Sequence, residues 1–180
     1  MSYELLSHTK VSGTSTQLID ISSIDQTYQD LCFWWCGHEN GTGTYANAEL
    51  YIYLNGDRSS HYSSIKRYAA YTTNYANRTD LGAEFIMSGL GNKQYSNNQG
   101  ATLFGYMPAY RDTTSSQGKS LFMRAGSIPN SSVGSSGAYV WMYGGQYTEE
   151  VAINRIEIGY VGSSYLAPDS TFTLYGVKNS

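Results

Sequence analysis

Leu50, Ile52 and Leu54 alternate with Tyr51 and Tyr53, and the run stops at Asn55-Gly56. A repeat of two puts apolar side chains on one face of a strand, and Asn-Gly is the strongest short signal for a tight turn. Further short β segments are read in "ELLSHTKV", "TQLIDIS", "GAEFIMSG", "KSLFMRAGSI", "GAYVWMYGG", "INRIEIGY" and "STFTLYGV", with "QDLCFWWCGHE" as a dense apolar strand. No segment carries an amphipathic helical stripe over three turns, and only a short helical turn is expected, near "SIDQTYQD", with Ser23 as cap and Asp25 in its first turn. Many short strands separated by Gly, Ser and Asn clusters predict an all-β chain, an antiparallel β-sandwich of jelly-roll type. The segment "AELYIYLNGDRSSHYSSIKRYAAY" reads as a hairpin closed by Asn55-Gly56.

Composition agrees. Charged residues make up 14% of the 180, against a usual ~25%, while the chain holds 18 Tyr and 19 Gly. Thr, Tyr and Val suit a pleated surface, whereas Gly, Asn and Ser disfavour helices. The length suits one domain over residues 1–180, with a core large enough to need no metal or disulfide. Polar stretches such as "NRTD", "GNKQYSNNQGAT", "RDTTSSQGK" and "PNSSVGSSG" read as loops.

The formal net charge is −3 with no basic run, which argues against a nucleic-acid partner. No apolar run approaches the ~20 residues of a membrane span, and "MSYELLSHTK" lacks the basic and apolar regions of a secretory signal. The expectation is synthesis in a cytoplasm, with release only as part of a larger particle.

Chemical constellations are sparse. Cys32 and Cys36 fall on one face of a strand about 13 Å apart at ~3.3 Å per residue, too far for a disulfide. With His38 they lack the spacing of a zinc knuckle, so they read as buried, reduced, metal-free thiols. Phe33 and Trp35 point opposite to Trp34 and Cys36, and both faces of that strand read as covered. His8, His38 and His61 are scattered, and no Gly-x-Ser-x-Gly elbow is present. Glu149 and Glu150 are adjacent, so on a strand they cannot face each other across a sugar. Asp57 in "LNGDRSS" reads as a turn residue and not a calcium ligand. No catalytic residue, metal or cofactor is expected, and the chain reads as a non-enzyme. The tyrosines stand out instead, since Tyr supplies stiff, amphipathic contact area. Tyr62, Tyr68, Tyr71 and Tyr75, with Trp141 and Tyr143, form the candidate interface.

Two stretches resemble a known family. "INRIEIGYVGSSYLAPDSTFTLYGVK" is similar to the close of a β-sandwich domain of tailed-bacteriophage virion proteins, matching at Ile153, Ile156 and Ile158 and at Phe172, Leu174, Tyr175, Gly176, Val177 and Lys178. "YELLSHTKVSGTSTQLIDISSIDQTYQDLCF" resembles its opening, at Ile21, Ile24, Gln26, Thr27, Tyr28 and Leu31. The hairpin region resembles its middle. The family occurs in capsid decoration, tail fibre and baseplate proteins. The resemblance implies a structural protein on the virion exterior, foremost a head decoration (cement) protein. Its partner would be the major capsid protein or a tail protein of the same phage, and it would self-associate. The alternative it implies is a tail-associated module that binds a receptor or a host-surface glycan. It also suggests that "YELLSHTKV" pairs with "TFTLYGV", stitching both ends of the chain into one sheet.

Overall fold

A computed structural model describes residues 1–40, 49–70, 73–82, 84–88, 100–114, 118–127, 139–160 and 165–178. The period-two runs become strands with one buried face. The strands are β1 (Ser2–Lys10), β2 (Leu18–Ile21), β3 (Asp30–Gly37), β4 (Glu49–Leu54), β5 (Tyr62–Ala70) and β6 (Thr73–Gly82). They continue as β7 (Phe85–Ser88), β8 (Ala101–Met107), β9 (Lys119–Ser127), β10 (Tyr139–Tyr147), β11 (Ile156–Tyr160) and β12 (Thr171–Lys178).

Every pairing is antiparallel. An eight-stranded sheet runs β1-β12-β3-β8-β9-β10-β5-β6, and a four-stranded sheet runs β2-β11-β4-β7. The core lies between their inner faces. Across the small sheet, Ile19, Ile158, Ile52 and Phe85 stand in one register row, with Ile21, Ile156 and Leu54 in the next. Across the large sheet the facing rows are Phe172, Trp35, Leu103, Ala125 and Trp141, then Leu174, Phe33, Gly105, Met123 and Tyr143. All the apolar side chains of these rows are buried. The second row has a gap at Gly105, and the Phe33 ring from the neighbouring strand fills it.

The all-β two-sheet sandwich is as the alternation predicts. The unequal split, with β8, β9 and β10 as a meander, does not of itself make the two Greek keys of a jelly roll. β1 pairs with β12 from Ser2↔Lys178 to Lys10↔Thr171, so both ends of the chain are stitched together. β1 is the sheet edge, and β12 lies one strand in, hydrogen-bonded to β3 on its other side.

Three expectations are corrected. The Asn55-Gly56 turn forms, with Asn55 and Gly56 at φ 55° and 71°, but β4 and β5 do not pair. β4 bonds β11 and β7, while β5 crosses to the large sheet and bonds β10 and β6. The Asn55 side chain explains the crossing. Its Oδ1 accepts from the Asn154 and Arg155 N–H groups and its Nδ2 donates to the Ala152 carbonyl, tying the turn to the segment that leads into β11, the strand beside β4. Second, "NRTD" lies inside β6, and Ala101 and Thr102 open β8, where loops were expected. Third, no helix forms near Ser23. That residue has φ 57°, and the Asp25 carboxylate instead accepts from the Thr27 N–H at 2.9 Å, closing a local turn. No helix among the described residues is long and apolar enough to cross a membrane.

Candidate functional site

With its inner face on the small sheet, the large sheet turns its other face outward. That outer face is unexpectedly apolar. Of the nine large apolar side chains that the described residues leave exposed, seven lie on it: Tyr3, Leu5, Trp34, Ile65, Phe122, Val140 and Met142. Their placement follows from register. Leu5, Tyr175, Cys32, Tyr106, Phe122, Gly144 and Ile65 form one outward row, and Trp34, Phe104, Arg124, Met142 and Arg67 form the next. Scattered surface apolar residues need no explanation, but a contiguous patch marks an interaction site.

The patch has two parts. On β12, β3 and β8, Trp34 sits between Phe104, 4.9 Å away, and Tyr175, 5.3 Å away edge-on, measured between ring centres. Trp34 keeps 43% of its surface exposed. Arg124 places its guanidinium 5.5 Å from the Phe104 ring centre. On β8, β9, β10 and β5, Tyr106 and Phe122 face Ile65 across Gly144, leaving a trough of about 600 Å³. The Tyr106 hydroxyl donates to Asp30 Oδ2 at 2.6 Å, and this bond, with burial, pushes its pKa up to about 12. The ring is thereby held as a fixed wall.

The tyrosines singled out from sequence divide differently. Tyr62, Trp141 and Tyr143 belong to the core, at 1–3% exposure, and are corrected as interface residues. The cause is strand parity: each occupies an inward position of β5 or β10 and packs toward the small sheet. Tyr62 meets Phe85 edge-on at 4.9 Å, and Phe85 meets Tyr143 at 6.0 Å. Tyr68 and Tyr75 are fixed in backbone register only, Tyr68 opposite Trp141 and Tyr75 opposite Tyr68. Tyr71 lies outside the described residues.

The cysteines divide too. Both lie on the outward parity of β3, and neither forms a disulfide. Cys32 is buried beneath its neighbours, and loss of solvent pushes its thiol up to about 11. Cys36 is exposed, which corrects the expectation of two buried thiols and of a strand covered on both faces. Among the described residues no group of three His, Cys, Asp or Glu could hold a metal ion.

One polar cluster closes the end of the sandwich. His61 Nδ1 donates to Asp57 Oδ2 at 2.6 Å, and its Nε2 lies 3.3 Å from Glu149 Oε1. The Tyr147 hydroxyl also donates to Asp57 Oδ2, at 3.0 Å, and the Ser59 N–H donates to Oδ1. Burial raises the Asp57 pKa, but these donors outweigh it and hold the carboxyl at about 2. The Asp57 hydrogen bond raises His61, against a smaller opposing effect of burial and with help from the Glu149 charge. Both ring nitrogens face carboxylates, so neither is placed to take a proton from a nucleophile. The cluster clasps the β4–β5 crossing to the end of β10. Glu150, the other half of the acidic pair, is exposed.

Sequence reasoning missed Trp34, Phe104, Phe122 and Gly144 as a group. The signal was the outward parity of "CFWWCG" and "ATLFGYM", which gains meaning only when the two strands are known to pair. No protein-family model, curated protein or solved structure matches the chain.

Proposed function

We propose that the chain is a non-enzymatic structural protein of a tailed-phage particle, a head decoration protein that docks on the capsid exterior through the outer face of its large sheet. The observation that carries this reading is the concentration of seven of nine exposed large apolar side chains on that one face. Trp34, flanked by the Phe104 and Tyr175 rings, is its anchor. Trp and Tyr at the centre of a contact dominate binding energy, while the surrounding residues exclude water. One copy of that face makes a single contact. A symmetric particle repeats that contact many times, and linkage between copies at capsomer joints converts weak binding into durable attachment. The pairing of β1 with β12 along its length suits a body that docks without rearrangement. The resemblance of the opening and closing segments to phage virion β-sandwiches supplies the particle context, with the major capsid protein as partner.

The second reading is a tail-associated receptor-binding module, and the trough at Gly144 favours it. The copy number on purified particles separates the two. Quantitative mass spectrometry should find copies in proportion to the capsid lattice. A few to tens of copies per particle, located at the tail, would replace the decoration reading with the adhesin one.

A further inference from the structure

Most cations among the described residues have partners. Lys10 meets Asp169, Arg58 meets Glu157, Arg155 meets Asp20 and Glu157, and Lys178 meets Glu4. Arg111 and Lys119 donate to the backbone carbonyls of Gln26 and Asp112. Arg67 and Arg124 differ. Among the described residues neither guanidinium has a carboxylate or carbonyl acceptor, and Arg124 lies only over the Phe104 ring. Both are exposed. Register puts both in the row that Trp34 heads: Trp34, Phe104, Arg124, Met142 and Arg67 stand side by side on β3, β8, β9, β10 and β5. The row ends on β6 at Ala76, with Asn74 and Arg78 beside it on the same parity, none of them acidic. Asp80 is the one acid of the chain whose side chain is undescribed, and it stands roughly 13 Å along β6 from Ala76.

The chemistry of this row narrows what can cover it. Met142, 54% exposed, stands between the two arginines, whose backbones are two strand spacings apart, about 10 Å. A guanidinium carries five N–H donors in a fixed fork that matches a carboxylate or phosphate. A purely apolar partner would cover both forks and give them no acceptor, and a buried charge without a counter-charge is costly. A nucleic acid brings a phosphate at every nucleotide, and two cations on a chain of net charge −3 are too few to hold it. A protein segment with two carboxylates on either side of an apolar side chain matches the row position by position. As such a segment excludes water from the Trp34 and Met142 surface, the attraction between its carboxylates and the guanidinia strengthens.

We propose that the row takes an acidic, apolar peptide segment of a protein partner, with one carboxylate on Arg124, a second on Arg67, and apolar side chains over Met142 and Trp34. This rests on the reading of the outer face as the docking surface and names the chemistry of what docks there. The test is a nuclear magnetic resonance titration of the isotope-labelled full chain, to about 5 mM ligand. The probes are a short blocked peptide of Glu, Leu and Phe, the same peptide with Gln for Glu, the same with Lys for Glu, and an oligothymidylate. Saturable shifts are expected at the Trp34, Arg124, Met142 and Arg67 amides with the Glu peptide, and binding about fivefold or more weaker with the Gln peptide. Arg67→Gln combined with Arg124→Gln should abolish that preference, and Arg67→Glu combined with Arg124→Glu should turn it toward the Lys peptide. Both double variants should keep a native amide spectrum, since the two side chains are exposed. Absence of saturable shifts with the Glu peptide overturns the proposal, as does equal binding of the Glu and Gln peptides or a preference that survives in the double Gln variant. Saturation by the oligothymidylate and by no peptide overturns it in favour of a nucleic acid. Shifts at these amides on concentrating the protein alone, with no peptide effect, overturn it in favour of a second copy. Particle occupancy kept by the double Gln variant and lost by Trp34→Glu would overturn this proposal and leave the docking reading standing. The Glu preference without any particle occupancy of the wild type would support this proposal and overturn the docking reading.

Discussion

Replacing Gly105 by Ala tests whether β3 and β8 pair as described. Gly105 stands directly opposite Phe33 in register, on the inner face. A Cβ there would fall within 2.5 Å of three Phe33 ring carbons. The ring has nowhere to go: Phe33 is fully buried and its far side meets Phe172, 5.4 Å away between centres. Overpacking of this kind costs about 1–3 kcal/mol, and so close an approach belongs at the upper end. Against it, removing a mid-strand glycine returns roughly 0.5–1 kcal/mol of backbone entropy. The net loss is about 2 kcal/mol, which for a chain of this length lowers Tm by roughly 4–8 °C. Gly144→Ala is the matched control, with the same entropic gain and no clash, so its Tm should be unchanged or slightly higher. Phe33→Leu placed on Gly105→Ala should recover part of the loss, a coupling of at least about 0.5 kcal/mol in a double-mutant cycle. Calorimetry reads all of these. A Gly105→Ala protein melting with the wild type, or below it by no more than Gly144→Ala, would refute the pairing argument.

Leu174→Ala, at a fully buried site on β12, should cost about 2–5 kcal/mol by urea unfolding, whereas Thr173→Ala on the opposite parity should stay within about 0.5 kcal/mol. Equal effects would mean that the closing strand is not seated as described. The cysteines should differ under a thiol reagent at neutral pH: Cys36 reacts in the native protein, and Cys32, buried with its thiol raised to about 11, reacts only after denaturation. Two fast equivalents would contradict this. The Asp57–His61 clasp should leave its mark on the pH dependence of Tm. Asp57 is lowered from 3.8 to about 2, so its contribution is present above about pH 4 and lost as pH falls toward 2. His61 is raised from 6.5, so its contribution is full below about pH 6.5 and lost as pH rises through the higher folded value. Both contributions are therefore present together between about pH 4 and 6.5. His61→Gln should lower Tm most within that window and least at high pH. A uniform offset across pH would count against it.

Much of the fold was legible because burial imposes a period of two. Ile52 and Leu54 against Tyr53, or Phe172 and Leu174 against Thr173, declare their faces without any knowledge of partners. Partnership itself was not legible. Asn55-Gly56 carries the chemistry of a hairpin turn, yet the Asn55 side chain spends its hydrogen bonds on residues 152–155 and the chain changes sheet. β8 hid behind glycine, since Gly105 in mid-strand reads as punctuation until Phe33 is seen lying over it. The candidate site suffered most. Aromatic richness pointed to an interface but could not say which rings face outward. Tyr62 and Tyr143 fill the core, and the ring group around Trp34 is assembled from three strands distant in sequence.

If the Trp34 cluster holds the protein on a phage particle, as proposed, Trp34→Glu should release it. Trp34 is outward-facing and partly exposed, so the substitution should leave the far-ultraviolet circular dichroism spectrum intact. Purified particles assembled with the variant should then carry it at no more than about a tenth of wild-type occupancy, a loss of roughly 1.4 kcal/mol or more per site. Occupancy equal to wild type by quantitative mass spectrometry, with the fold intact, would contradict the account.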